Sequence, residues 1–324
     1  MGEVSQINAI EFYCGIGGTH FALKGKGVEY TLTHALSSVF PGLSKPINVI
    51  AAFDINTTTN SIYKCNFPAT KLYQNNIQGL SAASLDKFDA QLWTMSPPCQ
   101  PFTLKGNLKG KEDRRCDSFK ALLASLDEMK RAPRWIFIEN VSNFYSTSMH
   151  SILIETLNSV GYEIEEYILS PVQFGIPNSR PRYYLMASRK EGRVEYHSHL
   201  YHSIEGVGEF EASKIEDYLS NNEEIEYLPS VKIEQNNISI VESSAITSSC
   251  FTKSYTQYLV GCGSYLRDSK GIRPFSPREV ASLMSFPYSF SWPEHITHKQ
   301  VYRALGNSVN VAVVSKLLER LLQV

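Results

Sequence analysis

A cysteine stands among prolines in Ser96-Pro97-Pro98-Cys99-Gln100-Pro101-Phe102-Thr103. Three prolines stiffen that segment and remove backbone donors, so Cys99 is hard to explain as core packing. An unperturbed thiol, with a pKa of about 8.5, is only a few per cent thiolate at neutral pH. A strand end near helix N-termini raises that fraction, which makes Cys99 a candidate nucleophile. Glu139 opens Glu139-Asn140-Val141, directly after the apolar run 135–138. A carboxyl group there is a candidate acid or anchor, and desolvation would raise its pKa and keep it protonated. Arg180 and Arg182 alternate in Asn178-Ser179-Arg180-Pro181-Arg182-Tyr183. On an extended segment their side chains share a face and can reach a carbonyl or phosphate. Plainer readings stay open for each feature: a structural cysteine in a turn, a solvated glutamate near a helix start, two surface arginines.

A second constellation suits a bound cofactor. The turn Phe12-Tyr13-Cys14-Gly15-Ile16-Gly17-Gly18 lets backbone approach a ligand closely. A dinucleotide fingerprint would place a third glycine where His20 stands, which speaks against a pyrophosphate cradle. The turn suits a cofactor without phosphate, and Asp54, after the second apolar run, is placed to accept hydrogen bonds from ribose hydroxyls. A tight structural turn with a surface aspartate is the alternative.

These residues need a scaffold. Apolar, β-prone runs at 8–13, 49–53, 90–95 and 135–138 alternate with helical patterns at 19–23, 57–66, 119–129 and 151–160. Repeated β-then-α order predicts a doubly wound, mostly parallel sheet of the α/β class, which binds ligands at the carboxyl ends of its strands. The glycines, Asp54, Cys99 and Glu139 all fall just after such runs. Residues 189–245 are polar, acidic and weakly periodic, and read as a second lobe or an insertion rather than more sheet. Helices are predicted at 277–284 and within 299–322.

With 324 residues, 43% of them hydrophobic, the chain can bury one substantial core and a smaller lobe. A net charge of −1 argues against holding nucleic acid by bulk charge, so any such site must be a local basic patch. The stretch 105–134, with Lys109, Arg114 and Arg115, is the candidate. No signal peptide, transit peptide or membrane span is expected, and the reading is an intracellular protein of cytoplasm or nucleus. The six cysteines form no CxxC pair and show no zinc spacing, so no metal is expected, and most should be reduced and buried.

Together these blocks resemble the C5-cytosine methyltransferase family, in the family's own order. FYCGIGG and Asp54 match its cofactor motifs, SPPCQPFT its nucleophile loop, ENV its glutamate motif and NSRPRYY its arginine motif. RPFSPREVASLMSFP and YRALGNSVNVAVV match its two closing motifs. A finer resemblance, to small enzymes homologous to DNA methyltransferases that methylate a cytosine in the anticodon loop of tRNA-Asp, rests on Cys250-Phe251-Thr252-Lys253, Tyr255, Tyr258, Asp113-Arg114-Arg115 and GIPNSR. Two positions depart from the wider family: Asn76, where Asp is common, and Asn178, where Gln is common.

The resemblance implies the class I S-adenosylmethionine-dependent methyltransferase fold. It implies a catalytic domain over 1–188 and 274–324 and a smaller target-recognition lobe over 189–273. S-adenosylmethionine, leaving as S-adenosylhomocysteine, would contact Phe12, Cys14, Gly15, Ile16, Gly17, Gly18, Asp54, Ile55, Asn76, Ile77, Pro97, Asn307, Ser308 and Val309. Cys99, Glu139, Arg180 and Arg182 would do the chemistry, through a covalent Cys99–C6 adduct. Lys109, Arg114, Arg115, Cys250 and Lys253 would contact nucleic acid, with the aromatic residues of 250–258 meeting unstacked bases. The implied partner is tRNA. A DNA cytosine methyltransferase shares every catalytic motif, and a non-catalytic binding protein could keep the fold.

Overall fold

Five strands carry the carboxyl-edge residues: β1 (Asn8–Phe12), β2 (Asn48–Phe53), β3 (Lys71–Tyr73), β4 (Leu92–Met95) and β5 (Trp135–Val141). The computed structural model describes residues 6–25, 43, 47–98, 116–189, 199–204, 210–220, 225–229 and 236–322. Most positions of β1, β2, β4 and β5 are buried on both faces, as strands covered by helices on each side must be. They pair in parallel in the order β3-β2-β1-β4-β5. The chain winds outward from β1 one way to β3 and the other way through β4 to β5. The β1/β4 junction is therefore the switch point, where a crevice opens outside the carboxyl ends.

Two strands in this sheet were not anticipated as such. β6 (Tyr162–Leu169) and β7 (Arg182–Arg189) continue the sheet as β5-β7-β6, and β7 is antiparallel to both neighbours. Glu163, Glu165 and Glu166 interrupt the apolar run of β6; Glu166 is nonetheless buried and takes hydrogen bonds from His150 and Tyr183. Because β7 runs backwards, its start lies beside the end of β5, with Val141 opposite Arg182. That reversal brings an arginine from a strand start to the edge where the parallel strands end.

Successive residues along each strand feed opposite cores, as the two-residue side-chain period requires. On one face α1 (Gly18–Leu23), α2 (Thr57–Asn66), α6 (Pro277–Leu283), α7 (His298–Gly306) and α8 (Val311–Leu322) cover Ala9, Ala52, Leu92 and Phe137. On the other face α3 (Ala82–Asp86), α4 (Asp117–Glu128) and α5 (Ser148–Ser159) cover Ile10, Phe53, Trp93 and Ile138. The doubly wound sheet is thus as expected. Among the described residues, no helix is long and apolar enough to cross a membrane.

The polar stretch after 188 is only partly separate. Its β8 (Leu200–Tyr201) pairs with β6 as an eighth strand of the large sheet, which corrects the reading that excludes more sheet there. β9 (Ile240–Glu242), β10 (Tyr265–Asp268) and β11 (Gly271–Pro274) form a second, three-stranded sheet. It is tied to α6 by a buried ion pair in which Arg273 Nη1 and Nη2 donate to Glu279 at 2.8 and 2.9 Å. Of the described cysteines, Cys14, Cys116 and Cys262 are buried and all five are free, while Cys65 is exposed and Cys250 half-buried.

Candidate active site

The crevice at the switch point opens into a cavity of about 560 Å³. Its β2/β3 side is built from loops that follow parallel strands. Gly15 sits in the left-handed region at φ +54°, and its N–H donates to Asp54 Oδ2 at 2.9 Å. Asn56 N–H donates to Asp54 Oδ1 at 2.8 Å, so the carboxylate braces both loops. Burial raises the Asp54 pKa, and the surrounding backbone N–H groups oppose the rise. Nothing lies within 4 Å of the place where a Gly15 Cβ would sit, so the glycine leaves the cradle open. Asn76 Oδ1 accepts from Gln78 N–H at 3.1 Å, at the head of the 3-10 turn Ile77–Gly79. Ile55 is 70% exposed and still lines the cavity, an apolar side chain left without protein cover.

The β5/β7 side is built from buried charge. Glu139, at the end of β5, is 7% exposed. Burial pushes its carboxyl pKa up, while Arg182 and then Arg180 pull it down, and the net direction is upward. Arg182 Nε lies 3.5 Å from Glu139 Oε1. Arg180 is 2% exposed, which excludes a surface arginine. Its Nη1 donates to Phe251 O at 3.0 Å, and its Nη2 donates to the carbonyls of Gly306 and Ser308. It therefore clamps three backbone segments together. Cys250 Sγ lies 3.4 Å from Arg180 Nη1 and 3.8 Å from Arg182 Nη2. Burial raises this thiol's pKa, but the two guanidiniums outweigh it and hold the group below its ordinary value.

Two contacts join the halves. Asn140 Nδ2 donates to Pro97 O at 3.2 Å, which fixes the glutamate strand against the Ser96–Pro98 segment. Gly306 meets the Thr252–Lys253 peptide so closely that a Cβ would stand 2.2 Å from Thr252 C. Only glycine admits that approach, and through it the segment between β9 and β10 reaches the cavity rim.

The model of the C-5 cytosine-specific DNA methylase family matches residues 7–255 and 216–323 of this chain. The chain belongs to that family. Among its relatives is the tRNA (cytosine(38)-C(5))-methyltransferase of Schizosaccharomyces pombe, 35% identical, with 100% of this chain and 99% of the relative covered. The DNA (cytosine-5)-methyltransferase of Dictyostelium discoideum is 32% identical, over 98% and 94% of the two chains. The crystal structure of S. pombe Dnmt2 methyltransferase superposes with a TM-score of 0.80 at 34% identity, covering 98% and 99%. The fold of this methylase is thus the class I methyltransferase fold, and its family implies a methyl donor of the S-adenosylmethionine type.

The cavity brings together much of the predicted site: Gly15, Asp54, Ile55, Asn76, Ile77, Pro97, Glu139, Arg180, Arg182 and Asn307 all line it. Other predicted cofactor contacts stand behind it. Phe12 is fully buried and packs its ring against Phe53 and Trp93, at 5.2 and 5.1 Å between centroids. Cys14, Ile16, Gly17 and Gly18 are buried beneath the turn, and Gly18 abuts Ser308 and Val309. Tyr13, passed over in favour of Phe12, lines the cavity; it holds φ +56° and its hydroxyl lies 2.9 Å from Ser118 Oγ. A side chain one place past a buried strand end faces the opposite way, and that alternation could have identified it. Ser118, Asn140 and Gly306 were also missed as lining residues.

Cys99, Lys109, Arg114 and Arg115 lie outside the described residues. The residues leading into Cys99, Ser96, Pro97 and Pro98, all line the cavity. Elsewhere in the basic stretch, Lys120 pairs with Asp117, Arg131 with Asp89, and Arg134 stacks over Trp135. Phe251 and Tyr255 are each 1% exposed, so they form core and are not a surface for bases, contrary to the sequence reading of that block. Asn178 is buried, donating to Ser248 Oγ.

Proposed function

We propose that this methylase acts on C5 of an RNA cytosine in the anticodon loop of tRNA-Asp. The observation that carries the reading is a single cavity in which a cradle holding one carboxylate, Asp54, meets a largely buried Glu139–Arg182 pair. The cradle's backbone turn, carboxylate, amide and aliphatic side chain fit S-adenosylmethionine, whose adenosine carries no phosphate. When bound, that cofactor supplies an electrophilic methyl group and leaves as S-adenosylhomocysteine. Asp54 would take the ribose hydroxyls, and Asn76, Ile55 and Ile77 would hold the base of the nucleoside.

Cytosine C5 is a poor nucleophile until C6 is attacked. Cys99 adds as a thiolate to C6, which makes C5 enamine-like. Glu139, whose carboxyl pKa burial raises, binds N3 and the exocyclic amine and gives N3 a proton as negative charge develops. Arg182 binds O2, and Arg180 holds Cys250, whose sulfur also meets Arg182. After methylation, water removes the C5 proton, the Cys99 sulfur leaves C6 as a thiolate, and N3 returns its proton to Glu139. Residues 189–273 would serve as a target-recognition lobe, with Lys109, Arg114, Arg115 and Lys253 on backbone phosphates.

The near-neutral chain gains little from a long featureless duplex. A loop cytosine is already unpaired, which saves roughly a few kcal/mol of extrusion. The tRNA methyltransferases among the relatives match this chain nearly end to end, and so does a DNA methyltransferase, so the preference for RNA rests on the charge and the unpaired loop. The test is a side-by-side assay with labelled donor on transcribed tRNAs and duplex DNA, together with RNA carrying 5-fluorocytosine. Expected are a preference for tRNA-Asp and an SDS-resistant adduct that Cys99→Ala loses while still binding the donor. Comparable kcat/KM on duplex DNA would overturn the RNA reading; an adduct formed by Cys99→Ala would overturn the nucleophile.

A further inference from the structure

The aromatic residues of the segment 250–258 divide sharply. Phe251 and Tyr255 are core: their rings meet edge-on at 4.9 Å, and the Tyr255 hydroxyl donates to Ser264 O and accepts from Phe275 N–H. Tyr258 is 66% exposed, and Val260 beside it is 48% exposed. A large apolar side chain in that state usually belongs to a mobile loop, but this loop is held at several points. Thr252 N–H donates to Cys262 O at 3.0 Å and closes its base. Within it, Gln257 N–H and Tyr258 N–H both donate to Ser254 O, at 3.0 and 3.2 Å. Thr256 takes φ +65°, a region that a β-branched residue occupies only when its surroundings impose it. Imposed backbone strain of that kind clusters at ligand clamps.

The base of the loop packs against the wall of the active site. Arg180 grips Phe251 O, and the Thr252–Lys253 peptide lies against Gly306, which lines the cavity. Tyr258 is thereby carried on a loop whose base adjoins the cavity, and the same loop holds the half-buried cation Lys253. A strand that delivers one base into the cavity must unstack the neighbouring base, which then exposes a π-face to water. An exposed, pre-positioned ring with a cation for the adjoining phosphate is what binds such a base. A duplex keeps the neighbour stacked and has no use for it.

We propose that Tyr258 is a stacking platform for an unpaired base adjacent to the target cytosine, with Lys253 on the connecting phosphate. This rests on the RNA reading above. The test measures KM and kcat of the full chain on tRNA and on its anticodon stem-loop, using Tyr258→Ala, Tyr258→Phe and Tyr258→Trp. A second set of stem-loops carries an abasic nucleotide on one side or the other of the target. On intact RNA, Tyr258→Ala should raise KM about tenfold with little change in kcat, in line with the loss of one base–aromatic stack, while Phe and Trp retain function. Donor affinity and melting temperature should stay at wild-type values. On one of the two abasic RNAs the wild type should fall to the level of Tyr258→Ala, and the substitution should have no further effect. An unchanged KM for Tyr258→Ala, or the same tenfold ratio on both abasic RNAs, overturns the platform and leaves RNA methylation by the wild type standing. Methylation of duplex DNA alone by the wild type overturns the substrate reading itself.

Discussion

The two sides of the cavity are made differently. The side beneath β2 and β3 is assembled from backbone turns within 13–18, 54–59 and 76–78, each just past a parallel strand, and it holds one carboxylate among neutral groups. The side beneath β5 and β7 gathers Glu139, Arg180, Arg182 and Cys250 from three separate segments, and packs them largely out of water. Low dielectric strengthens such charges, and it makes each dependent on its partners. The first side is suited to hold a ligand, the second to change one. Substitutions on the two sides should therefore fail in different measurements.

Glu139→Gln should give the largest separation. Gln still offers hydrogen bonds but cannot give N3 a proton, so the single-turnover rate should fall by about 10²–10⁴ while RNA affinity changes less than severalfold. Burial raises the Glu139 pKa, so the wild-type rate should decline as pH rises through that raised value and the acid is lost. The variant should lack that limb. Equal losses of rate and affinity would make Glu139 a structural residue at the strand end.

Asp54→Ala should do the reverse. It removes the ribose acceptor and the brace on the Gly15 and Asn56 N–H groups, and hydrogen bonds to a charged group are each worth roughly 1.5–3 kcal/mol. Calorimetric affinity for S-adenosylmethionine should drop about ten- to hundredfold, with the rate largely recovered at saturating donor. A rate loss that saturation cannot restore would erase the distinction between the sides.

Cys250→Ala tests whether the second thiol is subordinate. Its sulfur sits between two guanidiniums and steadies them. Its loss should slow methylation severalfold and leave adduct formation on 5-fluorocytosine RNA intact. Complete loss of the adduct in a folded variant would promote Cys250 to an essential role.

The contrast also explains what could be read beforehand. A strand-then-turn pattern is local, so Gly15, Asp54, the proline-flanked segment and Glu139 could be placed at one sheet edge from period and punctuation alone. β6 escaped because Glu163, Glu165 and Glu166 break its apolar run, and Glu166 is explained only by His150 and Tyr183 arriving from α5 and β7. The antiparallel turn of β7 was equally hidden, although it decides why Arg182 meets Glu139. Arg180 looked like a partner of substrate in the sequence; that its donors go to the carbonyls of Phe251, Gly306 and Ser308 depends on three distant segments meeting. Tyr13 was passed over as a lining residue for the same reason, since a motif names a turn but not which of two neighbouring rings faces the cavity.

The last test concerns the neutral groups buried behind the glycine turn and should leave catalysis near pH 6 untouched. Glu11 lies on β1 behind the glycine turn, 2% exposed, and accepts a hydrogen bond from Tyr63 Oη at 3.2 Å. Tyr63 Oη is in turn 2.7 Å from His20 Nδ1, and the His20 ring stacks on Phe67 at 3.7 Å. Burial raises the Glu11 pKa from 4.5 to about 8, and burial lowers that of His20 to about 3, so both are neutral near pH 6. Below pH 4.5 Glu11 is protonated in both the folded and the unfolded chain. Between 4.5 and about 8 the unfolded chain releases this proton while the folded one keeps it, so the native state binds more protons and stability falls as pH rises. At about 1.4 kcal/mol per unit, the contribution lost across that window is roughly a few kcal/mol. Denaturant midpoints at pH 5, 6.5 and 8 should therefore fall more steeply for the wild type than for Glu11→Gln, whose amide cannot ionise. Parallel slopes would mean that Glu11 is already charged in the fold, and that the ligand-holding side is backed by a buried carboxylate after all.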